Sequence, residues 1–335
     1  MPTLSQALGL REGENAVQGA TMYPILFTIG KVSIPTYTVL LDLGLILGLV
    51  LTYLEGKRIL GNAETALDLG LWTVIGGILG GRIGYVLAHW SAFSENWSQV
   101  WQIWRGGLSF HGAFLGGLVV LAIFSLLQRR RERPATLWQL ADALTPGLAL
   151  GLVFGWAACL MGSCAYGVVG EGFGYLPMPD LFGAEASRFA TQIVGLALAA
   201  VLFIAVWLLR GRWPFSGAAF LMFNLLYFGS QYFLESTRGD ESIYLGPLRL
   251  AQVLDLALAM LAAVGLFVLW WRARQGVEES EAEEGTEEPA TPEEPGESAV
   301  SGEPGVTGDD EVVEEADAPA EAGETAVPAE PKGTQ

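Results

Sequence analysis

The sequence is poor in cysteine and histidine, with two of each among its 335 residues. Two cysteines are too few for the disulfide framework of a small secreted domain, and two thiols without a nearby histidine do not predict a zinc site. Residues 1–22 are polar and have no apolar core behind a basic start, so no cleaved signal peptide is expected. The sequence is instead rich in hydrophobic residues, which make up 51% of the chain.

The negative charge of the chain is concentrated at its C-terminal end. The formal net charge is −18, yet residues 276–335 hold 20 of the 36 acidic residues and one of the 18 basic ones, which leaves 16 acids and 17 bases elsewhere. Rich in Glu, Pro and Gly and without aromatic residues, this segment cannot bury enough apolar surface to offset its ordering entropy. We expect a polar N-terminal segment (1–22), a transmembrane domain (23–275) and a disordered acidic tail (276–335).

Long apolar runs predict an all-α, polytopic membrane fold with seven transmembrane helices, because about 20 apolar residues cross a bilayer as one helix. Glycine pairs within these runs, such as Gly76-Gly77 and Gly116-Gly117, allow two helices to approach closely. The predicted spans are 33–55, 66–90, 108–128, 138–160, 189–209, 215–235 and 249–271.

Clusters of basic residues predict the orientation of these spans. With seven spans, every cluster falls on one face of the membrane, which the positive-inside rule assigns to the cytoplasm. A different number of spans would scatter them over both faces. The N-terminus is therefore expected outside and the acidic tail inside. The clusters are Lys57 with Arg58, Arg129–Arg131 with Arg133, Arg210 with Arg212, and Arg272 with Arg274.

The connection between the second and third spans is rich in tryptophan. Tryptophan favours the membrane–water interface, so this segment is expected to lie flat on the outer leaflet as an amphipathic helix. Its tryptophans are Trp90, Trp97, Trp101 and Trp104.

The two cysteines, Cys159 and Cys164, lie at the predicted outer end of the fourth span. Two interpretations are open for this pair. An oxidising compartment favours a disulfide, which requires a break in the helix between the two residues, whereas free cysteines are commonly small buried apolar residues.

A set of polar residues lies in or near the outer half of the spans, where ionisable groups usually face a cavity or one another. Arg82 in GGRIGY and Arg238 in ESTRGD are candidates to clamp a phosphate, because the planar guanidinium suits its oxygens. For Arg82 the alternative is a salt bridge to Glu235 or Asp240. The set comprises Tyr37, Arg82, Tyr85, Arg105, His111, Gln192, Glu235, Arg238, Arg249 and Gln252.

The two histidines receive different interpretations. His111, in LSFHGAFLGG, is expected at headgroup depth beside the candidate phosphate clamps, where an imidazole is the natural proton acceptor. The alternative is a buried histidine with a purely structural hydrogen bond. His89, next to Trp90, is interpreted as an interfacial anchor.

Several of these stretches resemble the prolipoprotein diacylglyceryl transferases, bacterial inner-membrane enzymes with seven spans. The most specific similarities are LGGRIGYVL and WRGGLSFHGAFLGG, and weaker ones are YPILFTIGKVSIPTY, ATQIVG and ESTRGDESIYLGPLRLAQ. The resemblance covers roughly residues 20–272. It implies transfer of a diacylglyceryl group from phosphatidylglycerol to the lipobox cysteine of a prolipoprotein signal peptide, with formation of a thioether. Neither a cofactor, a metal nor a nucleic acid partner is expected.

The resemblance also assigns roles to residues of this sequence. His111 matches the histidine proposed as the base that forms the thiolate, and Arg238 and Tyr37 match residues important for the reaction. We expect these three to be catalytic. The residues expected to bind the substrates are Arg82, Tyr85, Gly107, Ser109, Gln192 and Glu235.

The sequence departs from the family in the fourth and fifth spans. Trp156 stands where the family has an arginine, and Cys159 and Gly162 stand where it has asparagines. Phe189 and Ala190 replace a histidine and a proline before the Thr-Gln pair of the fifth span. Two hypotheses remain: a divergent enzyme that retains lipid transfer, or a relative that has lost this activity and acts on another lipid.

A membrane transporter or an interaction protein is the alternative from another class. Charges within spans also mark transport paths, but here they gather at one face, and deep acids are sparse, Asp42 and Asp255 being the main ones. No inverted repeat with matched broken helices is evident.

Overall fold

The computed structural model describes residues 25–30, 32–130 and 134–284, and this part of the chain is mainly helical. Two short 3-10 helices, Trp97–Trp101 and Ile103–Arg105, follow the third α-helix. The α-helices of the described residues are α1 (Thr36–Ile59), α2 (Ala63–Ala88), α3 (Trp90–Ser94), α4 (Phe110–Gln128), α5 (Leu137–Met161), α6 (Thr191–Leu209), α7 (Ala218–Glu235) and α8 (Leu250–Glu284).

Three antiparallel hairpins of two strands each lie in the connections between helices and before α1. The predicted all-α class is therefore right for the helical part and incomplete for the connections. In the longest hairpin, Tyr175 lies opposite Phe189 and Pro179 opposite Glu185. The strand pairs are β1 (Ile25–Ile29) with β2 (Val32–Pro35), β3 (Tyr175–Pro179) with β4 (Glu185–Phe189), and β5 (Tyr244–Leu245) with β6 (Leu248–Arg249).

Polar caps determine where several helices begin. The side chains of Asn62 and Thr136 accept backbone hydrogen bonds at the starts of α2 and α5. At the start of α4, the Ser109 hydroxyl oxygen accepts a hydrogen bond from the N–H of Gly112 at 3.3 Å. Such caps satisfy N–H groups that have no partner within the helix. The last one places His111 in the first turn of α4.

Glycines allow neighbouring helices to touch through their backbones. Helix α2 packs against α4 and helix α1 against α5. A Cβ atom added at Gly80 would lie 2.5 Å from the carbonyl oxygen of Gly112 and 2.7 Å from the Cα atom of Gly116. At the other contact, a Cβ atom at Gly147 would lie 2.4 Å from the Gly48 carbonyl oxygen. In lipid the hydrophobic effect does not drive helices together, and small residues favour helix association because they allow close packing.

Among the described residues, six helices are long and apolar enough to cross a membrane: α1, α2, α4, α5, α6 and the Leu250–Gln275 part of α8. Each lies within a few residues of a predicted span. The remaining predicted span, 215–235, corresponds to α7, which has 18 residues and buries the polar side chains of Asn224, Gln231 and Glu235. These groups make α7 less apolar than the other six, and its transmembrane assignment stays a prediction.

The tryptophan-rich connection is not a single amphipathic helix, contrary to the prediction. It consists of the short helix α3 and the two 3-10 helices. The guanidinium of Arg82 binds the carbonyl oxygens of Gln99 and Val100, at 2.5 and 2.7 Å. A continuous α-helix would instead direct these oxygens along its own axis. The tryptophan side chains remain exposed, between 46% and 80%, at Trp90, Trp97, Trp101 and Trp104.

Helix α8 continues past the predicted start of the acidic tail at residue 276 and ends at Glu284. Glutamate and alanine are good helix formers, and extending an existing helix avoids the cost of nucleation. The rest of the predicted tail and the predicted N-terminal segment 1–22 lie outside the described residues.

Candidate active site

The ends of six helices surround a polar cavity of about 750 Å³. The starts of α1, α4 and α8 and the ends of α2, α5 and α7 contribute to its lining. These ends meet because consecutive long helices run in alternating directions. The predicted site residues that line the cavity are Tyr37, Tyr85, Ser109, His111, Glu235 and Arg238.

His111 is bound to a carboxylate that is distant in sequence. Its Nε2 atom lies 2.7 Å from Oδ1 of Asp255, a residue of the second turn of α8. The side chains of His111 and Asp255 are 13% and 2% exposed. The imidazole is packed against aromatic rings, with centroids 5.6 Å from Phe110 and 6.4 Å from Phe228. A histidine fixed in this way at a cavity wall is suited to transfer a proton at a defined position.

Arg238 belongs to a network of two arginines and two carboxylates. It forms ion pairs with Glu235 at the end of α7 and with Asp240. Arg249 lies 3.3 Å from Glu235 and 2.8 Å from Asp240. The four formal charges cancel, as buried ionic groups require. A phosphate bound by Arg238 would share the guanidinium with these carboxylates or replace one of them.

The arginines also set the ionisation of Asp240, which lies beyond the end of α7. Burial by itself raises the pKa of this carboxyl group. Hydrogen bonds and charge from Arg238 and Arg249 outweigh that effect and hold the pKa of Asp240 below its ordinary value. Asp240 is thus an anion that holds the two arginines together.

Three other predicted residues form the wall of the cavity. The ring of Tyr37, at the start of α1, contacts Gly162 beyond the end of α5. Tyr85 stacks on His89 with ring centroids 4.3 Å apart, so His89 lies at the cavity wall as well. Ser109 caps α4 directly before the catalytic candidate.

Arg82 and Gly107 lie behind the wall rather than in it. The guanidinium of Arg82 donates to the carbonyl oxygens of Gly106 and Gly107, at 2.7 and 3.0 Å, in addition to the two in the 3-10 segment. No carboxylate binds Arg82 within the described ranges, so neither Glu235 nor Asp240 is its partner. Gly107 has φ +79°, and a Cβ atom there would lie 2.5 Å from the Tyr85 ring. Both residues shape the backbone next to the cavity.

The cysteine pair is a disulfide, Cys159–Cys164. Helix α5 ends at Met161, and Ser163 and Ala165 adopt positive φ angles of 55° and 53°. This break in the helix brings the two sulfur atoms together, and both cysteines line the cavity.

Gln192 supports this disulfide-bonded turn. Its Nε2 atom donates to the carbonyl oxygen of Cys164 at 3.1 Å, and the residue is 1% exposed. Within the described part of the chain it contacts the turn from behind and does not line the cavity.

Trp156, which the resemblance aligns with a family arginine, lines the cavity. Its indole packs against Gly195 of α6 so closely that a Cβ atom there would lie 2.5 Å from the ring. The indole thus contributes an apolar ring with one N–H donor to this part of the wall.

Asp240 and Asp255 line the cavity, and Arg249 pairs with Asp240. All three residues were noted in the sequence, but they were not among the expected catalytic or substrate-binding residues. A carboxylate within an apolar span requires a buried partner. The position of Asp255 in such a span was therefore the sequence feature that could have indicated its role. Arg188 does not line the cavity. It pairs with Asp180 at 3.0 Å, and its guanidinium lies over the Tyr166 ring.

Six membrane-length helices and a cavity that combines a histidine–carboxylate pair with paired arginines define an integral membrane protein with an enzyme-like site. The family model described as prolipoprotein diacylglyceryl transferase matches residues 24–271. The chain therefore belongs to the prolipoprotein diacylglyceryl transferase family.

Individual relatives agree with this assignment. A phosphatidylglycerol–prolipoprotein diacylglyceryl transferase of Acaryochloris marina is 35% identical over 262 residues, which cover 73% of this chain and 91% of the relative. Proteins of the same name from a Nostoc species and from Thermosynechococcus vestitus are 32% and 30% identical over 269 and 253 residues. These alignments cover 75% and 73% of this chain and 90% and 92% of the relatives. The relatives are bacterial, so the chain is a multi-pass bacterial membrane protein.

Proposed function

We propose that the chain transfers the diacylglyceryl group of phosphatidylglycerol to the lipobox cysteine of a prolipoprotein. The observation that carries this proposal is that His111 and Arg238 line the same cavity. A thiol with an ordinary pKa near 8.5 is mostly protonated at neutral pH, so the reaction needs a base. The departing phosphate needs a cation. In the cavity, His111 can act as the base and Arg238 as the cation.

The proposed reaction begins when the thiol proton moves to the imidazole of His111. The resulting thiolate attacks the glyceryl carbon that carries the phosphate ester, and a carbon–sulfur bond forms. The carbon–oxygen bond breaks, and its electron pair leaves with glycerol phosphate. Arg238 stabilises the negative charge that develops on this leaving group.

The remaining predicted residues are proposed to act from two positions. Tyr37, Tyr85, Ser109 and Glu235 line the cavity, and we propose that they contact the two substrates or, for Glu235, hold Arg238 until phosphate replaces it. Arg82, Gly107 and Gln192 contact the segments that form the wall. We propose that they contribute to substrate binding by fixing those segments.

An apolar cavity next to the polar one supports a lipid substrate. It has a volume of about 280 Å³, and Phe110 and Leu152 line both cavities. Glycines of α1, α2, α4 and α5 form much of its wall. Such a space beside the reacting groups suits an acyl chain, because apolar surface is removed from water there.

We further propose seven spans, an outward N-terminus and a cytoplasmic tail in the inner membrane. The helix ends that form the polar cavity are opposite to the ends that carry Arg58, Arg130 and Arg210. The positive-inside rule places the basic ends in the cytoplasm. Helix α7 supports the count: the N–H of Gly217, just before its start, binds Asp142 of α5, and its other end carries Glu235 in the cavity. Lipobox cysteines of secreted precursors would then meet the cavity at the outer leaflet.

The experiment that tests this function uses cells depleted of their own prolipoprotein diacylglyceryl transferase. We expect the wild-type chain to restore diacylglyceryl-cysteine on a lipobox precursor, detected by gel shift and mass spectrometry. His111→Ala and Arg238→Ala are expected to reduce it at least about 100-fold. The control is Arg58→Ala, which removes an arginine paired with Glu55 at the opposite ends of the helices. An unmodified precursor despite normal wild-type expression would favour a relative that has lost this activity.

A further inference from the structure

Asp255 is a buried carboxylate with one clear partner. It is 1% exposed, and its Oδ1 atom lies 2.7 Å from Nε2 of His111, which is 144 residues away in sequence. Its other oxygen, Oδ2, is buried without a hydrogen-bond partner among the described residues. Burying a carboxylate this deeply is unfavourable unless a partner stabilises it, so the contact with the imidazole is the reason the group is tolerated.

This contact distinguishes the two nitrogen atoms of the imidazole. A carboxylate accepts hydrogen bonds, so Nε2 is the atom that donates. In the neutral ring the lone pair then belongs to Nδ1. Within the described residues no hydrogen bond engages Nδ1, and His111 lines the cavity.

We propose that Asp255 is a positioning residue that holds His111 as the Nε2–H tautomer, so that Nδ1 accepts the proton of the substrate thiol. This inference rests on the proposed function and adds the group that makes the base effective. When the sulfur–hydrogen bond breaks, the proton binds Nδ1 and the electron pair remains on sulfur as a thiolate. The imidazolium that forms is then next to the Asp255 carboxylate, which stabilises its positive charge.

Few other charged groups lie near the pair among the described residues. The other charged or titratable groups that face it are Tyr227, Glu235 and Arg238, all on α7 or directly after it. Arg238 is paired with Glu235 and Asp240, and no ion pair of the described residues joins His111 or Asp255 to that network.

The kinetic test compares Asp255→Asn with wild type, using purified protein, phosphatidylglycerol vesicles and a lipobox peptide. We expect kcat to fall about 100-fold, the scale of general base catalysis, while KM for the peptide changes little. Asp255→Glu, which keeps the negative charge, is expected to recover part of the loss. The matched control is Glu55→Gln, which neutralises another buried carboxylate, paired with Arg58, outside the cavity lining.

A spectroscopic test does not depend on turnover. The chain has two histidines, so ¹⁵N-histidine labelling gives two sets of ring signals, and His89→Gln assigns them. At about pH 8.5, above the ordinary range of imidazole titration, we expect a protonated Nε2 and a bare Nδ1 at His111. In Asp255→Asn we expect a mixture of tautomers. If that variant does not fold, the signals of the wild type and of Asp255→Glu still decide the question.

The outcomes separate this inference from the proposed function. A wild-type His111 protonated on Nδ1, or an Asp255→Asn variant with wild-type kcat while His111→Ala is inactive, would overturn the role of Asp255 alone. A wild type that leaves the lipobox peptide unmodified would overturn the transfer reaction, whatever the tautomer. Loss of kcat in Asp255→Asn but not in Glu55→Gln, with the expected tautomer, supports both.

Discussion

At the scale of residues, the candidate site consists of charges that already have partners. Arg238 was predicted to clamp a phosphate, and in the structure it forms ion pairs with Glu235 and Asp240. An isolated arginine in this position would be unfavourable, because the low dielectric gives a charge too little solvation. The two carboxylates stabilise the arginine and hold it at the cavity wall.

Stability should depend on pH through Asp240. Its pKa lies below the ordinary value of 3.8, since hydrogen bonds and charge from Arg238 and Arg249 outweigh the opposing effect of burial. The resulting stabilisation is complete above about pH 4 and is lost as the pH falls through the lowered pKa. We expect the free energy of unfolding of Asp240→Asn at pH 7 to be about 2 kcal/mol lower than that of wild type, which is the scale of hydrogen bonds to charged groups. Thermal unfolding in detergent measures the difference.

The control for this prediction is Glu241→Gln, an exposed carboxylate beside Asp240. Its melting temperature should match that of wild type at pH 7. The difference between wild type and Asp240→Asn should shrink at pH 3. An Asp240→Asn variant that is as stable as wild type at pH 7 would contradict the ion network.

Residues of the site differed in how far the sequence could predict them. His111, Arg238 and Glu235 lie in stretches with a recognisable local context, and all three line one cavity. The partnership of Asp255 with His111 spans 144 residues, and no local pattern reports which carboxylate a given histidine will meet. The partners of Arg82, which include the carbonyl oxygens of Gly106 and Gly107, are likewise set by contacts made only in the folded chain.

At the scale of elements, glycine contacts determine how helices α2 and α4 pack. A Cβ atom added at Gly116 would lie 2.2 Å from the carbonyl oxygen of Gly76, and neither backbone can yield without separating the helices. The sequence predicted close packing from its glycine pairs. It could not predict the broken tryptophan segment, because carbonyl groups bind Arg82 there through contacts made only in the folded chain.

Gly116→Ala should therefore destabilise the protein. We expect a loss of about 2 kcal/mol, the scale of overpacking in a tight interface, measured as a lower melting temperature. The matched control is Gly229→Ala in α7, where no atom lies within 4 Å of the added Cβ atom. That variant should be neutral or slightly more stable, because alanine is a better helix former than glycine. Equal effects of the two changes would argue against the contact.

At the scale of the whole molecule, the two ends of the described helices differ in their chemistry. One set of helix ends carries the exposed basic residues and the other forms the polar cavity. The apolar runs predicted the positions of the long helices to within a few residues at most ends. The end of α8 was harder to predict, because helix continues into an acidic sequence that composition assigned to the tail.

The proposed topology can be tested by labelling reporter thiols in intact cells. Both native cysteines form a disulfide, so an introduced cysteine is the reactive one. A membrane-impermeant maleimide should label Phe182→Cys and Tyr244→Cys, both exposed, but Arg130→Cys only after the membrane is opened. Protection of Tyr244→Cys together with Arg130→Cys would show that α7 does not cross the membrane.

The most direct measurement for the whole account is the mass of a lipobox peptide after incubation with purified protein in phosphatidylglycerol vesicles. The account predicts a peptide heavier by one diacylglyceryl group, linked through a thioether to its cysteine, and no such product with His111→Ala. Folded wild-type protein that leaves the peptide mass unchanged, or a His111→Ala variant that works as well as wild type, would contradict it.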